Sequence, residues 1–386
     1  MRYDLERYSR AELQGRTGVK WHRDGSAAIA AWVADMDFPI APEIRAAIEA
    51  LVSSDDLGYP DPSLDASVRS AFSKRVRDRY QLVVDPDRVV VLSDVVQAIY
   101  LCVVAFSEPG DGIACLTPAY PPFFSAVAAT GRRLLACDLV AGEERFEVDL
   151  AALDSLLRDQ GARMLLLCNP HNPTGRSFTR AELEGIAAIA RDRDLTVISD
   201  EIHADLTLAG ATHVAFGALD SASSERTVTL SSASKAFNLA GLRCAVAAFG
   251  SDSLRDRFER FPAHARGSVS VLGMAAALAA WEGAGAWLEA ALRALSSNRD
   301  FLVAYLAQHL PRVAIRPPEA TYLAWLDLRP LGLGDDPTGW LKEHAKVALS
   351  PGADFGAAGS GHSRLNFGTT RPVLEEMLAR IAAALS

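Results

Sequence analysis

The sequence predicts an α/β protein with a large domain, built on a mostly parallel seven-stranded sheet covered by helices, and a smaller α+β domain made from both ends of the chain. Its 386 residues exceed what one ordinary hydrophobic core holds. Between about residues 64 and 250, short continuous apolar runs alternate with helix-like segments. Such runs are typical of parallel strands buried on both faces. We expect a large domain over 45–280 and a small one from 1–44 and 281–386.

Local patterns predict the individual elements. The seven strands of the sheet are expected at 88–92, 112–116, 132–137, 163–168, 195–199, 228–230 and 244–249. Outside the sheet, the patterns predict an extended segment at 30–39, a helix at 42–52, a Pro/Gly-rich loop at 55–62, Ala-rich helices from 254 to 310, a strand at 321–328 and a last helix at 373–385. The loop displays Tyr59, which has no obvious local core to enter.

Composition and charge exclude several classes of function. The net charge is −9 and there is no block of Lys and Arg, which argues against a nucleic-acid partner. The longest apolar run, 271–281, is about half of a membrane span, and the N-terminus lacks a signal peptide, so a cytoplasmic protein is expected. Its five cysteines show no Cys-x-x-Cys spacing, and we expect buried thiols and no metal site.

Four side chains of different chemistry follow predicted strands. In open parallel sheets, ligands bind outside the carboxyl ends of the strands. Tyr120, Asn172, Asp200 and Lys235 each come shortly after a different strand. An aromatic ring, an amide, a carboxylate and an amine are therefore expected on one rim, where together they predict an active site for a small molecule.

Lys235 is the most telling of these side chains. It lies among Ser, Ala and Phe residues just past a strand end. Burial among small and aromatic residues lowers the pKa of a lysine, so the neutral amine is available to form a Schiff base with an aldehyde. Ser232 and Arg243 are spaced to reach one anionic group nearby.

Motifs spread over almost the whole chain resemble one known family. They are the segments 32–38 (WVADMDF), 58–59 (GY), 118–123 (PAYPPF), 169–176 (NPHNPTGR), 199–206 (SDEIHADL), 232–238 (SASKAFN), 321–327 (TYLAWLD) and 364–367 (RLNF). The chain resembles the fold-type I pyridoxal-phosphate (PLP) enzymes of the class I/II aminotransferase superfamily. It most resembles their cystathionine β-lyase branch, the cysteine-S-conjugate β-lyases of the MalY/PatB type.

The resemblance implies PLP as the cofactor and assigns roles around its ring. Lys235 is the expected lysine that binds the cofactor aldehyde and later removes the substrate Cα proton. Asp200 is expected to pair with the ring nitrogen, Asn172 to donate to the ring oxygen, and Tyr120 to stack on the ring face. For His203 two interpretations stay open: it polarises the ring oxygen, or it is a satisfied buried imidazole.

The resemblance also implies where the phosphate and the substrate bind. The phosphate is expected at the N-terminus of a helix that starts near Val95, on the Val95 and Val96 amides, with Ser232 and Arg243 adding donors. Asp94 departs from the family, which usually has glycine there. A carboxylate beside a phosphate is unfavourable unless it points away or caps the helix.

Two further side chains are assigned by the resemblance. Arg364 is expected to bind the substrate α-carboxylate, together with Asn172. Tyr59 is expected to reach the phosphate of the neighbouring subunit, which implies a homodimer.

The implied function is α,β-elimination of an L-cysteine S-conjugate such as cystathionine, which gives a thiol, pyruvate and ammonia. Transamination between an amino acid and a 2-oxo acid is the alternative, because motifs do not decide which course the reaction takes. A ligand-sensing regulator is a second class. Such regulators carry an N-terminal winged-helix segment, whereas here the fold is expected to begin within about 40 residues. The set of Lys235, Asp200, Asn172 and Arg364 favours catalysis.

Overall fold

The computed structural model describes residues 3–386, which form fifteen strands and sixteen α-helices. The strands are β1 Ile29–Ala30, β2 Val89–Leu92, β3 Gly112–Thr117, β4 Arg133–Asp138, β5 Val140–Ala141, β6 Phe146–Glu147, β7 Ala162–Cys168, β8 Thr196–Asp200, β9 Thr227–Ser231, β10 Ala245–Phe249, β11 Ala314–Ile315, β12 Leu323–Asp327, β13 Val347–Ala348, β14 Ser350–Pro351 and β15 His362–Asn366. The helices are α1 Arg10–Gln14, α2 Val19–His22, α3 Pro42–Ser53, α4 Pro62–Tyr80, α5 Val95–Phe106, α6 Pro121–Ala129, α7 Leu150–Gln160, α8 Arg180–Asp192, α9 Ser221–Glu225, α10 Ala233–Ala236, α11 Asp252–Glu259, α12 Ala263–Arg266, α13 Val271–Gly283, α14 Gly285–His309, α15 Pro337–His344 and α16 Arg371–Leu385.

The large sheet has seven strands in the order β2-β10-β9-β8-β7-β3-β4. The five strands from β9 to β4 run parallel, and β10 pairs antiparallel with both β2 and β9. All seven predicted strands are present, so the predicted fold class is confirmed. The predicted domain boundaries remain a prediction.

Both faces of this sheet are buried. Along β7, Met164 and Leu166 belong to one hydrophobic cluster, whereas Leu165 and Leu167 belong to another. Successive side chains of a strand point to opposite faces, so helices must cover the sheet on both sides. This explains why the strands read as continuous apolar runs.

A second, antiparallel sheet has the order β11-β12-β15-β14, and β1 pairs in parallel with β13 near it. The irregular segment 32–38, which follows β1, lies between the two sheets. The Asn366 amide on β15 donates to the carbonyls of Val33 and Asp35, at 2.6 and 2.7 Å. The Asn238 amide donates to the carbonyls of Met36 and Phe38, at 3.0 and 3.1 Å. Two buried amides thus fix this segment against the cavity described below.

Within residues 3–386, no single helix combines the length and hydropathy of a membrane span. Helices α13 and α14 meet that test only as a pair, and they bend by 81° at the break between them.

Candidate active site

A cavity opens at the carboxyl ends of the parallel strands, where ligands bind in sheets of this kind. The predicted residues that line it are Val95, Val96, Tyr120, Asn172, Asp200, His203, Ser232, Lys235 and Arg243. Arg364 lies at its edge, because its guanidinium contacts Asn172. Tyr59 lies elsewhere and is fully exposed. The rim predicted from the ends of the strands therefore forms a single cavity.

Lys235 lies on α10, one turn after the end of β9. Its side chain is 20% exposed, and its amine donates to the carbonyl of Ala34 at 2.8 Å. The amine is also 3.9 Å from a carboxylate oxygen of Asp35. Burial, the largest effect, lowers the pKa of Lys235. The neutral amine is thus more accessible than that of an ordinary lysine.

Asp200 is the last residue of β8 and is almost fully buried. Its carboxylate accepts from the amide of Ile202 at 3.2 Å, and no Lys, Arg or His nitrogen in the described chain lies within 4.0 Å of it. Burial raises the pKa of Asp200 to about 7. A buried carboxylate without a cation is costly, so the site fits a ligand that presents a protonated nitrogen here.

The raised pKa of Asp200 makes the stability of the cofactor-free protein depend on pH. The group contributes its full stability below the unfolded-state pKa of 3.8 and loses it as the pH rises through about 7. We expect Asp200→Asn to exceed the wild type in unfolding free energy at pH 8 by on the order of a few kcal/mol. At pH 4 the difference should nearly vanish. Urea unfolding at both pH values checks this, and an equal difference at both would contradict it.

Arg364 projects from β15 and is buried. Its guanidinium donates to the Asn172 side-chain oxygen at 2.8 Å, the Trp32 carbonyl at 2.7 Å and the Ser350 hydroxyl at 3.2 Å. Its Nε has no partner, and no carboxylate in residues 3–386 lies within 4.0 Å. Burial lowers the pKa of Arg364 to about 10. A buried guanidinium held only by neutral groups fits the binding of a carboxylate.

Tyr120 and His203 line the cavity between these groups. Burial, and then the nearby Asp200 charge, raise the pKa of Tyr120 to about 12, so its hydroxyl stays protonated. Burial lowers the pKa of His203 to about 3, so its imidazole is neutral at physiological pH. Among the residues described, His203 Nδ1 has no hydrogen-bond partner. Such a buried nitrogen fits better with a bound ligand than with a satisfied core position.

The N-terminus of α5 faces the cavity with its first two residues, Val95 and Val96. Their amides have no acceptor within the helix, and a helix N-terminus favours an anion. Asp94 caps this helix: one carboxylate oxygen accepts from the Gln97 amide at 2.7 Å, and the other is 2.6 Å from Arg243. Asp94 is thus in the capping role that makes a carboxylate tolerable here, and its charge is neutralised by Arg243.

Ser232 and Arg243 complete this end of the cavity. The Ser232 hydroxyl donates to the carbonyl of Cys244 at 2.6 Å and accepts from the amide of Ser234 at 3.0 Å. The Arg243 side chain is 64% exposed. A bound phosphate would therefore compete with Cys244 for the hydroxyl and with Asp94 for the guanidinium.

Sequence reasoning missed the contribution of the segment 32–37. The carbonyl of Ala34 accepts from Lys235 and from the Tyr322 hydroxyl, the latter at 2.8 Å, and the carbonyl of Trp32 accepts from Arg364. The motif in this segment gave a signal, but backbone carbonyls carry no sequence code. Ser350 gave no signal, because a single serine on a two-residue strand has no pattern.

The cavity combines a buried amine, a carboxylate that needs a cation and a helix N-terminus suited to an anion. A phosphorylated pyridine aldehyde satisfies all three, so the fold and the site define the class of PLP-dependent enzymes.

The comparisons with known proteins point to the same class. The family model described as "Aminotransferase class I and II" matches residues 33–381. The cystathionine beta-lyase PatB of Bacillus subtilis is 33% identical over 98% of this chain and 99% of its own length. A cystathionine beta-lyase of Corynebacterium glutamicum is 34% identical over 97% of this chain and 98% of its own. Cystalysin from Treponema denticola, solved with a pyridoxal 5'-phosphate cofactor, superposes with a TM-score of 0.93 at 30% identity, covering 100% of this chain and 99% of its own.

The chain belongs to the class I and II aminotransferase family, within its MalY/PatB branch. The predicted family and its cofactor, PLP, are confirmed.

Proposed function

We propose that this protein is a C–S β-lyase that cleaves L-cystathionine or another L-cysteine S-conjugate with one water molecule to a thiol, pyruvate and ammonia. The observation that carries the proposal is the buried Lys235 amine, which shares one region with an anion site at α5 and with the buried Arg364 guanidinium. Near full-length relatives named as cystathionine beta-lyases support elimination as the reaction.

Lys235 performs the proton transfer. Bound PLP supplies an aldehyde that bonds to amines and a ring that accepts electron density from the substrate Cα. The lowered pKa of Lys235 leaves its amine able to take the Cα proton. The Ala34 carbonyl, at 2.8 Å, orients that amine. The sulfur then leaves from the neighbouring carbon as a thiolate.

The other residues bind and orient. Arg364 binds the substrate carboxylate and is itself held by Asn172, which also donates to the ring oxygen of the cofactor. Asp200 keeps a proton on the ring nitrogen, which relieves the cost of its own burial. Tyr120 packs on the ring face. His203 is neutral, and its unpartnered Nδ1 favours the role of polarising the ring oxygen.

The phosphate binds at the first turn of α5. The amides of Val95 and Val96 and the helix dipole provide the anion site. Ser232 adds a hydroxyl and Arg243 a guanidinium, and the pairing of Arg243 with Asp94 holds that guanidinium at the cavity.

Transamination is a second candidate, because the matching family model is that of aminotransferases. The two reactions share the removal of the Cα proton by Lys235. They differ in whether the β-substituent leaves or Lys235 returns the proton to the cofactor.

One assay separates the two reactions. The PLP-loaded protein is incubated with L-cystathionine and, separately, with an amino acid plus a 2-oxo acid. We expect thiol and pyruvate to appear in equal amounts in the first reaction. Amino transfer in the second reaction, with no thiol in the first, would contradict the lyase proposal.

We also propose that the active unit is a homodimer in which Tyr59 reaches the partner's phosphate. Tyr59 is fully exposed on the loop between α3 and α4, close to the exposed Leu57. Tyr59→Phe removes one hydroxyl donor and should weaken PLP binding about tenfold. Equilibrium dialysis measures this. Tyr305→Phe, on α14, is the matched control, and unchanged PLP affinity in Tyr59→Phe would contradict the proposal.

The proposed location is the cytoplasm. All five cysteines are free and buried, which suits a reducing compartment.

A further inference from the structure

We propose that a second cavity, between the N-terminal segment and the loop after Lys235, binds the distal charged end of the substrate, with Arg16 and Asp35 as the residues that select it. This inference rests on the proposed lyase function and specifies its substrate class. The cavity is lined by Arg16, Lys20, Asp35, Met36, Asn238 and Gly241, among others. It shares Ala240 with the active-site cavity.

The segment 32–37 orders the subsites. The Trp32 carbonyl holds Arg364, which binds the α-carboxylate, and the Ala34 carbonyl holds Lys235, which acts at Cα. The next residues, Asp35 and Met36, line the second cavity. The substrate side chain, which extends from Cα away from the carboxylate, is therefore directed toward that cavity.

Arg16 supplies a positive charge without a local counter-charge. Its guanidinium stacks 4.0 Å over the Tyr8 ring, which fixes its position and leaves its N–H groups free. In the described chain, no carboxylate oxygen lies within 4.0 Å of it. Glu12 is the nearby acid, but its carboxylate accepts from the Ser9 amide and hydroxyl instead.

Asp35 supplies the opposite charge. Its side chain is 34% exposed and accepts no hydrogen bond from residues 3–386, and the Lys235 amine is 3.9 Å away. When Lys235 binds the cofactor, Asp35 loses this cation. The other charged pair in the wall, Lys20 with Asp37, is closed at 2.8 Å and buried, so it is neutralised. Arg16 and Asp35 are thus the charges that remain for a ligand.

One cation and one anion in a cavity on the side-chain side match a distal amino-acid group, which carries a carboxylate and an ammonium. Cystathionine has such a group, whereas an S-alkyl cysteine has none. The structure therefore favours conjugates whose leaving thiol is itself an amino acid.

The test compares two substrates in holoenzyme variants. We expect Arg16→Gln to lower kcat/KM for L-cystathionine about tenfold more than for S-ethyl-L-cysteine, mainly through KM, because a charged hydrogen bond is lost. Arg7→Gln, an exposed arginine of the same segment outside the cavity, is the control and should leave the ratio unchanged. Calorimetric titration of the Lys235→Ala protein with L-cystathionine, with and without Arg16→Gln, gives a readout independent of turnover, and the affinity should fall similarly.

The outcomes are distinct. If the wild type cleaves both substrates and Arg16→Gln leaves both the ratio and the affinity unchanged, the second cavity is not the distal subsite, while the lyase proposal stands. If the wild type releases thiol from neither substrate, the lyase proposal fails and this inference fails with it.

Discussion

Replacement of Lys235 by alanine should lower the rate of elimination by about 10³- to 10⁴-fold, the largest effect expected in this protein. The loss has two parts, because the variant lacks both the amine that takes the Cα proton and the covalent anchor of the cofactor. Nothing else in the cavity replaces the amine: Tyr120 stays protonated, with its pKa raised to about 12, and the pKa of His203 is lowered to about 3. Initial rates of pyruvate formation measure the effect.

The control for this variant is Lys74→Ala. Lys74 lies on α4 with its side chain 71% exposed, and it pairs only with Asp78 on the same helix. Its removal should leave the rate within experimental error of the wild type. A Lys235→Ala protein that stays folded and keeps more than about a tenth of the wild-type rate would contradict its role as the base.

Arg364→Lys should raise KM for the substrate by about 10²-fold. The lysine keeps the positive charge but loses the planar fork that now bridges Asn172, Trp32 and Ser350. A shorter point charge leaves these acceptors without their donors, which costs more than the exchange of one cation for another. Steady-state kinetics with saturation curves separate KM from kcat.

Arg329→Lys is the matched control for Arg364→Lys. Arg329 also pairs through its guanidinium, with Asp327, but its side chain is 61% exposed. Its exchange should change KM less than twofold. If Arg364→Lys changes kcat while KM is unchanged, the carboxylate is bound elsewhere.

Much of the fold followed from local pattern. The seven strands were predictable because each is buried on both faces and is therefore continuously apolar, and α5 was predictable because Asp94 precedes a long apolar run. The antiparallel direction of β10 was not, because strand direction depends on contacts far apart in sequence.

The site was predictable where side chains carry the chemistry. Lys235, Asp200 and Asn172 line one cavity, as the ends of their strands required. The pairing of Asp94 with Arg243 was not foreseen, since the two residues are 149 positions apart. Tyr59 is exposed in the single chain, so its role stays a prediction that depends on a second subunit.

The most direct test of the account is to locate the cofactor's attachment. The purified protein is loaded with PLP, reduced with borohydride, digested and mapped by mass spectrometry. The account predicts a visible absorption band that disappears on reduction and a single stable pyridoxyl label on the Lys235 peptide. A colourless protein, or a label on another lysine with Lys235 unmodified, would contradict it.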